Sequence, residues 1–232
     1  MYAKTPIALV LLSCILLTGC ASQTTYTQRD REHYRATLDE MMTTDQSYRS
    51  AISWGTTDEQ ELAKLKALDD DAHMKEFVRR RSEGIKLDPE LEKQLWEKQI
   101  AIDRANTDRL MQLVERYGWP DEDMPGGAFS DPVPILIHMQ MDDAERVLPV
   151  LRDEVLAGRM PGKQYAMIFD RKRQHDGKPQ LYGTAQAFDS KTRTVLAPAV
   201  VDIEETNAAR AEIGLEPLVE FRITDAKTAA GG

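Results

Sequence analysis

The 232-residue chain carries 30 Lys and Arg against 39 Asp and Glu, a formal net charge of −9. An acidic chain of this kind is a poor candidate for nucleic acid, or for gripping anionic lipid by charge alone. Its two cysteines, Cys14 and Cys20, both sit near the N-terminus, so no disulfide is available to the rest of the chain. The fold must rest on buried apolar surface, for which the length suffices.

In chain order, the first element reads as a secretory signal. Lys4 supplies a positive start, and Pro6 to Leu17 is apolar except for Ser13 and Cys14. This run falls short of the ~20 apolar residues that a membrane-crossing helix needs. Leu17-Thr18-Gly19-Cys20 resembles the bacterial lipoprotein box, in which the small residues admit the signal peptidase and the cysteine thiol takes the diacylglycerol. The other readings are a cleaved signal with a chance cysteine, or a short uncleaved anchor. With each buried CH₂ contributing ~0.8 kcal/mol, two or three acyl chains on Cys20 hold a protein stably on its membrane. Ala21 stands where an aspartate would resemble the inner-membrane retention signal of enteric bacteria. The expected location is therefore the bacterial cell envelope, lipid-anchored at the outer membrane and facing the periplasm.

The domain plan that follows is a signal over 1–19, a lipidated cysteine and polar tether over 20–28, one helix-rich domain over 29–224, and a disordered tail over 225–232. Apolar residues at helical spacing (Tyr34, Leu38, Met41, Tyr48, Ile52) predict a first helix over 29–51, with Asp45 interrupting its stripe. A second, highly charged helix is predicted over 58–82. Asp88 and Pro89 form a helix start, and the third helix runs to Tyr117 with Gly118 as its stop. Asn106 lies in its inward stripe and Asp103 one turn earlier. After the loop "WPDEDMPGG", Asp131-Pro132 starts a short, very apolar helix, "PVPILIHMQ" (132–140). Another helix runs from Asp142 or Asp143 to Leu156, bent at Pro149 and closed by Gly158. The segment "KQYAMIFDRKRQ" is assigned to helix because Tyr165, Ile168 and Phe169 share a face. "PQLYGTAQAFD" and "TRTVLAPAVVDI" are predicted strands joined by a turn at residues 190 and 191, and a last helix covers Glu204 to Ile213. The expected fold class is α+β: a predominantly helical single domain with a small C-terminal antiparallel β-hairpin.

Chemistry is sought among polar groups in apolar surroundings. A buried, unpaired Asp45 costs several kcal/mol, so it must be paired, protonated or facing a cleft. Arg49, four residues on, suits an ion pair on one helix face; the pair is either a structural brace or the charged wall of a ligand pocket. His138, in "PILIHMQ", is either a satisfied core residue or a group poised for proton transfer beside a carboxylate. His33, His73 and His175 lie in charged surroundings. No H-E-x-x-H, G-x-S-x-G, P-loop or dinucleotide glycine pattern is present, no residues have metal-ligand spacing, and no cofactor is expected.

The ordered pieces "DQSYR" (45–49), "DRAN" (103–106), "GWP" (118–120), His138, "LP" (148–149), "YAMIFDR" (165–171), "GKPQLYGTAQ" (177–186) and "ARAEIGLEPL" (209–218) span nearly all of the mature chain. Together they resemble an uncharacterised bacterial domain-of-unknown-function family, DUF6624. That resemblance implies candidate positions at Asp45, Arg49, Asp103, Asn106, His138, Asp170, Arg171, Gln180, Tyr182, Gly183 and Gln186, and implies no reaction. Two departures stand out. Ala185 is inserted before Gln186, which turns Gln186 to the other strand face unless a bulge absorbs it. Ile137 stands where the family has Gln, removing one polar partner from His138. The leading expectation is a lipoprotein that binds a small polar ligand or an envelope partner protein through a cleft lined by Asp45, Arg49, Asn106, His138 and Arg171. The alternative is an envelope hydrolase in which His138 with Asp45 or Asp170 does acid–base work. A third reading makes these residues a buried network that only fixes the fold.

Overall fold

The computed structural model describes residues 26–120, 131–189 and 192–224. The signal, Cys20, the tether up to residue 25, residues 121–130 with most of the predicted loop, the turn at 190 and 191 and the tail from 225 lie outside them. Among the described residues nine helices and four short strands follow in the order α1 (Gln28–Asp45), α2 (Arg49–Trp54), α3 (Glu59–Lys66), α4 (Asp70–Ser82), α5 (Pro89–Tyr117), α6 (Val133–His138), α7 (Ala144–Leu156), α8 (Gly162–His175), β1 (Ala187–Asp189), β2 (Thr194–Leu196), β3 (Ala199–Val200), α9 (Ile203–Glu212) and β4 (Arg222–Ile223). No helix among these residues is long and apolar enough to cross a membrane.

The helix boundaries follow local chemistry. Thr27 and Asp30 form a reciprocal capping box at the start of α1. Asp58, Asp69, Asp88 and Asp202 each accept backbone N–H groups at the starts of α3, α4, α5 and α9. Two helices expected to be continuous are broken. The 29–51 helix stops at Asp45 and restarts at Arg49, and the 58–82 helix is interrupted around residues 67–69, where Asp69 caps a new helix. Apolar spacing survives across both breaks, so periodicity alone does not reveal them.

The principal core is formed where α1 and α6 pack on α5, and α7 on α8. Tyr34, Leu38 and Met41 of α1 meet Leu110, Val114 and Tyr117 of α5, Ile135 and Leu136 of α6, Val147 and Leu151 of α7 and Tyr165 and Ile168 of α8. A smaller apolar cluster, Ala51, Leu87 and Leu95, holds α2 to the start of α5. Along α5 the buried face is therefore apolar at Leu95, polar at Gln99, Asp103 and Asn106, and apolar again from Leu110. The polar layer sits at the level of the α1–α2 break.

The strand content corrects the expectation of a C-terminal antiparallel hairpin. The strands on which the chain closes, β3 and β4, are parallel, pairing Ala199 with Arg222 and Val200 with Ile223. Among the described residues antiparallel pairing is confined to β1 and β2, three residues each. Most of "PQLYGTAQ" is not strand at all. Its backbone amides at Leu181, Tyr182 and Thr184 donate to the Asp170 carboxylate at 2.8–3.0 Å instead of to a neighbouring strand. Gly183 sits in that turn at φ +65°, a conformation open to glycine.

Candidate functional site

The break after α1 is held open by α5. Helix termination leaves backbone groups without intrahelical partners, and Gln99, fully buried on α5, supplies two of them. Its Nε2 donates to the Asp45 carbonyl at 2.9 Å and its Oε1 accepts from the Tyr48 N–H at 3.0 Å. Two turns further along, Asn106 Nδ2 donates to the Met41 carbonyl at 3.1 Å, and the Thr44 hydroxyl reaches Asn106 Oδ1 at 3.3 Å. Asn106 thus ties α5 to the last turn of α1, a fold-fixing role.

Ionisable side chains converge on this junction. Asp45, 1 % exposed, faces the Nδ1 of His138 at 2.8 and 2.9 Å from its two oxygens and also accepts from Gln46 Nε2 at 2.6 Å. The expected Asp45–Arg49 pair is loose, with Arg49 Nε 3.8 Å from Asp45 Oδ1. Arg49 belongs to Asp103, whose Oδ2 takes its Nη2 at 2.6 Å. Asp103 also accepts from Gln99 at 2.9 Å and from Gln140 at 3.3 Å. The ring of Trp96, one turn before Gln99, lies 5.7 Å from the Arg49 guanidinium carbon, a cation–π arrangement.

Arg171, on α8, adds a second guanidinium. Burial lowers its pKa, and the positive charge of nearby Arg49 lowers it further. Two of the guanidinium nitrogens here, Arg49 Nε and Arg171 Nη1, are buried without a hydrogen-bond partner. Unmatched buried donors are uncommon in folded proteins and are costly where they occur. His138 remains partly open, its side chain 27 % exposed, with Nδ1 committed to Asp45. The other ring nitrogen, Nε2, is left for a further group.

The remaining candidates lie apart from this cluster. Asp170 is fully buried and spends both oxygens on Leu181, Tyr182 and Thr184, including the Thr184 hydroxyl at 2.8 Å. It organises the turn after α8; of the two carboxylates considered for His138, Asp45 is the one that lies beside it. Gln180 clamps Ala185 through two bonds of 2.8 and 2.7 Å. Tyr182 is buried against Tyr165 and Phe169, and burial raises its pKa. Gln186, past the inserted Ala185, is exposed. Gln46, Gln99, Gln140 and Trp96 were not among the expected residues. Gln99 had a sequence signal, since it stands four residues after Leu95 on the inward face of α5.

Among the described residues no group of three or more His, Cys, Asp or Glu side chains is placed to hold a metal ion. The open groove between α3 and α4, about 520 Å³ and lined by Glu61, Leu65, Leu68, Lys75, Glu76 and Arg80 among others, shares no residue with the polar cluster. Comparison with curated proteins and with solved structures gives no match. A family model does match, over residues 40–230, described as a family of unknown function. The match runs from the last turns of α1 through all the elements of the polar cluster, and the chain belongs to the family of unknown function DUF6624.

Proposed function

We propose that this is a lipid-anchored protein of the bacterial cell envelope that binds a small polar ligand at the junction of α1, α2, α5, α6 and α8. The observation that carries the reading is the incomplete pairing of the cluster. Arg49 and Arg171 hold buried donors with no partner, and His138, bonded to Asp45 through Nδ1, keeps Nε2 uncommitted. A network that served only the fold would close on itself, as that of Asp170 does. The lipid anchor is supported by Leu17-Thr18-Gly19-Cys20, and the family match begins downstream of it at residue 40. Replacing Cys20 by Ala is expected to release the protein from the membrane fraction; retention of the variant there would remove the anchor from the reading.

Ligand binding is tested by a thermal-shift screen of the full chain against cell-wall fragments, nucleotides, sugars and amino acids, with His138→Ala in parallel. A ligand at 100 times its Kd adds ~2.7 kcal/mol, which moves a domain of this size by several degrees. A shift in the wild type that disappears in His138→Ala is expected. Equal shifts in both proteins would place the ligand elsewhere.

A hydrolytic role for the same cluster is favoured by one specific feature, the grip of Asp45 on Nδ1. A carboxylate there orients the imidazole and stabilises its protonated form, leaving Nε2 to take a proton from water and return it to the leaving group. Asp45 fills that role, and Asp170 is too committed to share it. Recovery of the ligand unchanged after incubation separates binder from hydrolase.

A further inference from the structure

We propose that the ligand of this site is a singly charged oxyanion, a carboxylate or a phosphodiester, seated between the guanidiniums of Arg49 and Arg171. This rests on the reading of the cluster as a ligand site and narrows its chemistry.

Each oxygen of the two carboxylates of the cluster already accepts from within. Asp103 accepts from Arg49, Gln99 and Gln140, and Asp45 from His138 and Gln46. The unmet need lies with the guanidiniums, which lack an acceptor. Arg49 Nε and Arg171 Nη1 are buried N–H groups with nothing to donate to. Arg171 makes no ion pair among the described residues, whereas Arg49 has Asp103 at 2.6 Å. Asp45 is taken by the His138 ring, so Arg171 is the one guanidinium of the cluster without an acid partner, and one negative charge supplies it. A group with two charges would leave one negative charge uncompensated in surroundings where an unpaired charge is costly.

The shape of the acceptor follows from the donors. Guanidinium presents its N–H groups as a planar fork that suits two oxygens on one atom. Carboxylate and phosphodiester both offer two such oxygens and one charge. An acceptor shared by the two guanidiniums answers both unfilled donors at once.

Trp96 provides the readout. It is 38 % exposed, while Trp54 and Trp119 are 5 % and 3 % exposed, and its ring carries the Arg49 guanidinium. An anion that draws on Arg49 alters the emission of Trp96 above the other two. The experiment titrates the full chain at constant ionic strength with acetate, dimethyl phosphate, sulfate and the neutral acetamide, following tryptophan emission and heat. Acetate or dimethyl phosphate is expected to give saturable binding, with the stronger of the two naming the source. Sulfate is expected to be weaker and acetamide silent. Arg171→Met is expected to abolish binding, and Arg171→Lys, which keeps the charge and loses the fork, to weaken it about tenfold. Trp96→Phe removes the emission change and keeps the heat. Acetamide binding as well as acetate, with loss in His138→Ala, would overturn the oxyanion and leave the ligand site standing. Undiminished acetate binding by Arg171→Met would overturn the placement. Silence from every probe, with Arg171→Met less stable than the wild type, would overturn both.

Discussion

Gln99 is the residue on which the junction turns. Its amide closes the Asp45 carbonyl and the Tyr48 N–H, and also donates to Asp103. Leucine has nearly its volume and none of its hydrogen bonds. Gln99→Leu leaves at least two buried backbone groups without partners, each costing about 1–3 kcal/mol. A destabilisation of about 3 kcal/mol by urea denaturation is expected; a change under ~0.5 kcal/mol, the level of an ordinary surface substitution, would show that water closes the break unaided. The same scale shows what single residues disclose in advance. Asp45 stood out because a carboxylate interrupts an apolar stripe, and it is indeed where α1 ends. Asp170 was named by the family resemblance, and its carboxylate serves three amides of a turn. Burial of a polar residue is legible from its neighbours; which partner satisfies it depends on chain that is distant in space until folding, so the role is not.

At the scale of elements, α5 was readable from end to end. Asp88 and Pro89 start it, Gly118 ends it, and its inward stripe, polar in the middle, runs between. The first and second predicted helices were too long, because the pattern that marks a helix continues through the 46–48 and 67–69 breaks. The segment at 179–186 alternates like a strand, but its amides are captured by Asp170 before a neighbour can pair with them. The junction between α5 and α7 has a pH dependence that follows from one carboxylate. Burial pushes the Glu154 pKa up, but the Arg159 guanidinium at 2.6 Å and the Trp119 N–H at 2.8 Å outweigh it and hold the pKa below its ordinary value. A pKa depressed by folding contributes stability that is present above the unfolded value of about 4.3 and is lost as pH falls through the folded one. Glu154→Gln is therefore expected to lower stability at pH 7 and to flatten its decline below about pH 4.3, measured by urea denaturation from pH 3 to 7. An acid limb as steep in the variant as in the wild type would assign that limb to other carboxylates.

Over the whole molecule, two apolar clusters of unequal size flank a polar layer carried by the middle of α5. The larger supplies most of the buried apolar surface, so the fold does not need the polar layer to be fully satisfied. The layer in turn gathers residues from five helices that no local motif could announce. Helix content and the identity of Asp45, Arg49, Asp103 and His138 as polar residues in or beside apolar stripes were visible in the linear chain, and Arg171 came with the family resemblance. Their division into one cluster, with Asp170, Gln180, Tyr182 and Gln186 elsewhere, required the packing of α8 and the turn that follows it. The central claim is that Arg171 and His138 are held for a ligand and not for the fold, since functional sites commonly trade stability for function. It is tested most directly by the unfolding free energies of wild type, Arg171→Met and His138→Ala without ligand. Arg171→Met is expected to equal or exceed the wild type, because a half-buried cation without an acid partner is removed, and His138→Ala to lose no more than about 1–3 kcal/mol for one hydrogen bond to Asp45. Loss of about 3–5 kcal/mol in Arg171→Met, the cost of breaking a buried pair, would make Arg171 a structural residue and contradict the claim.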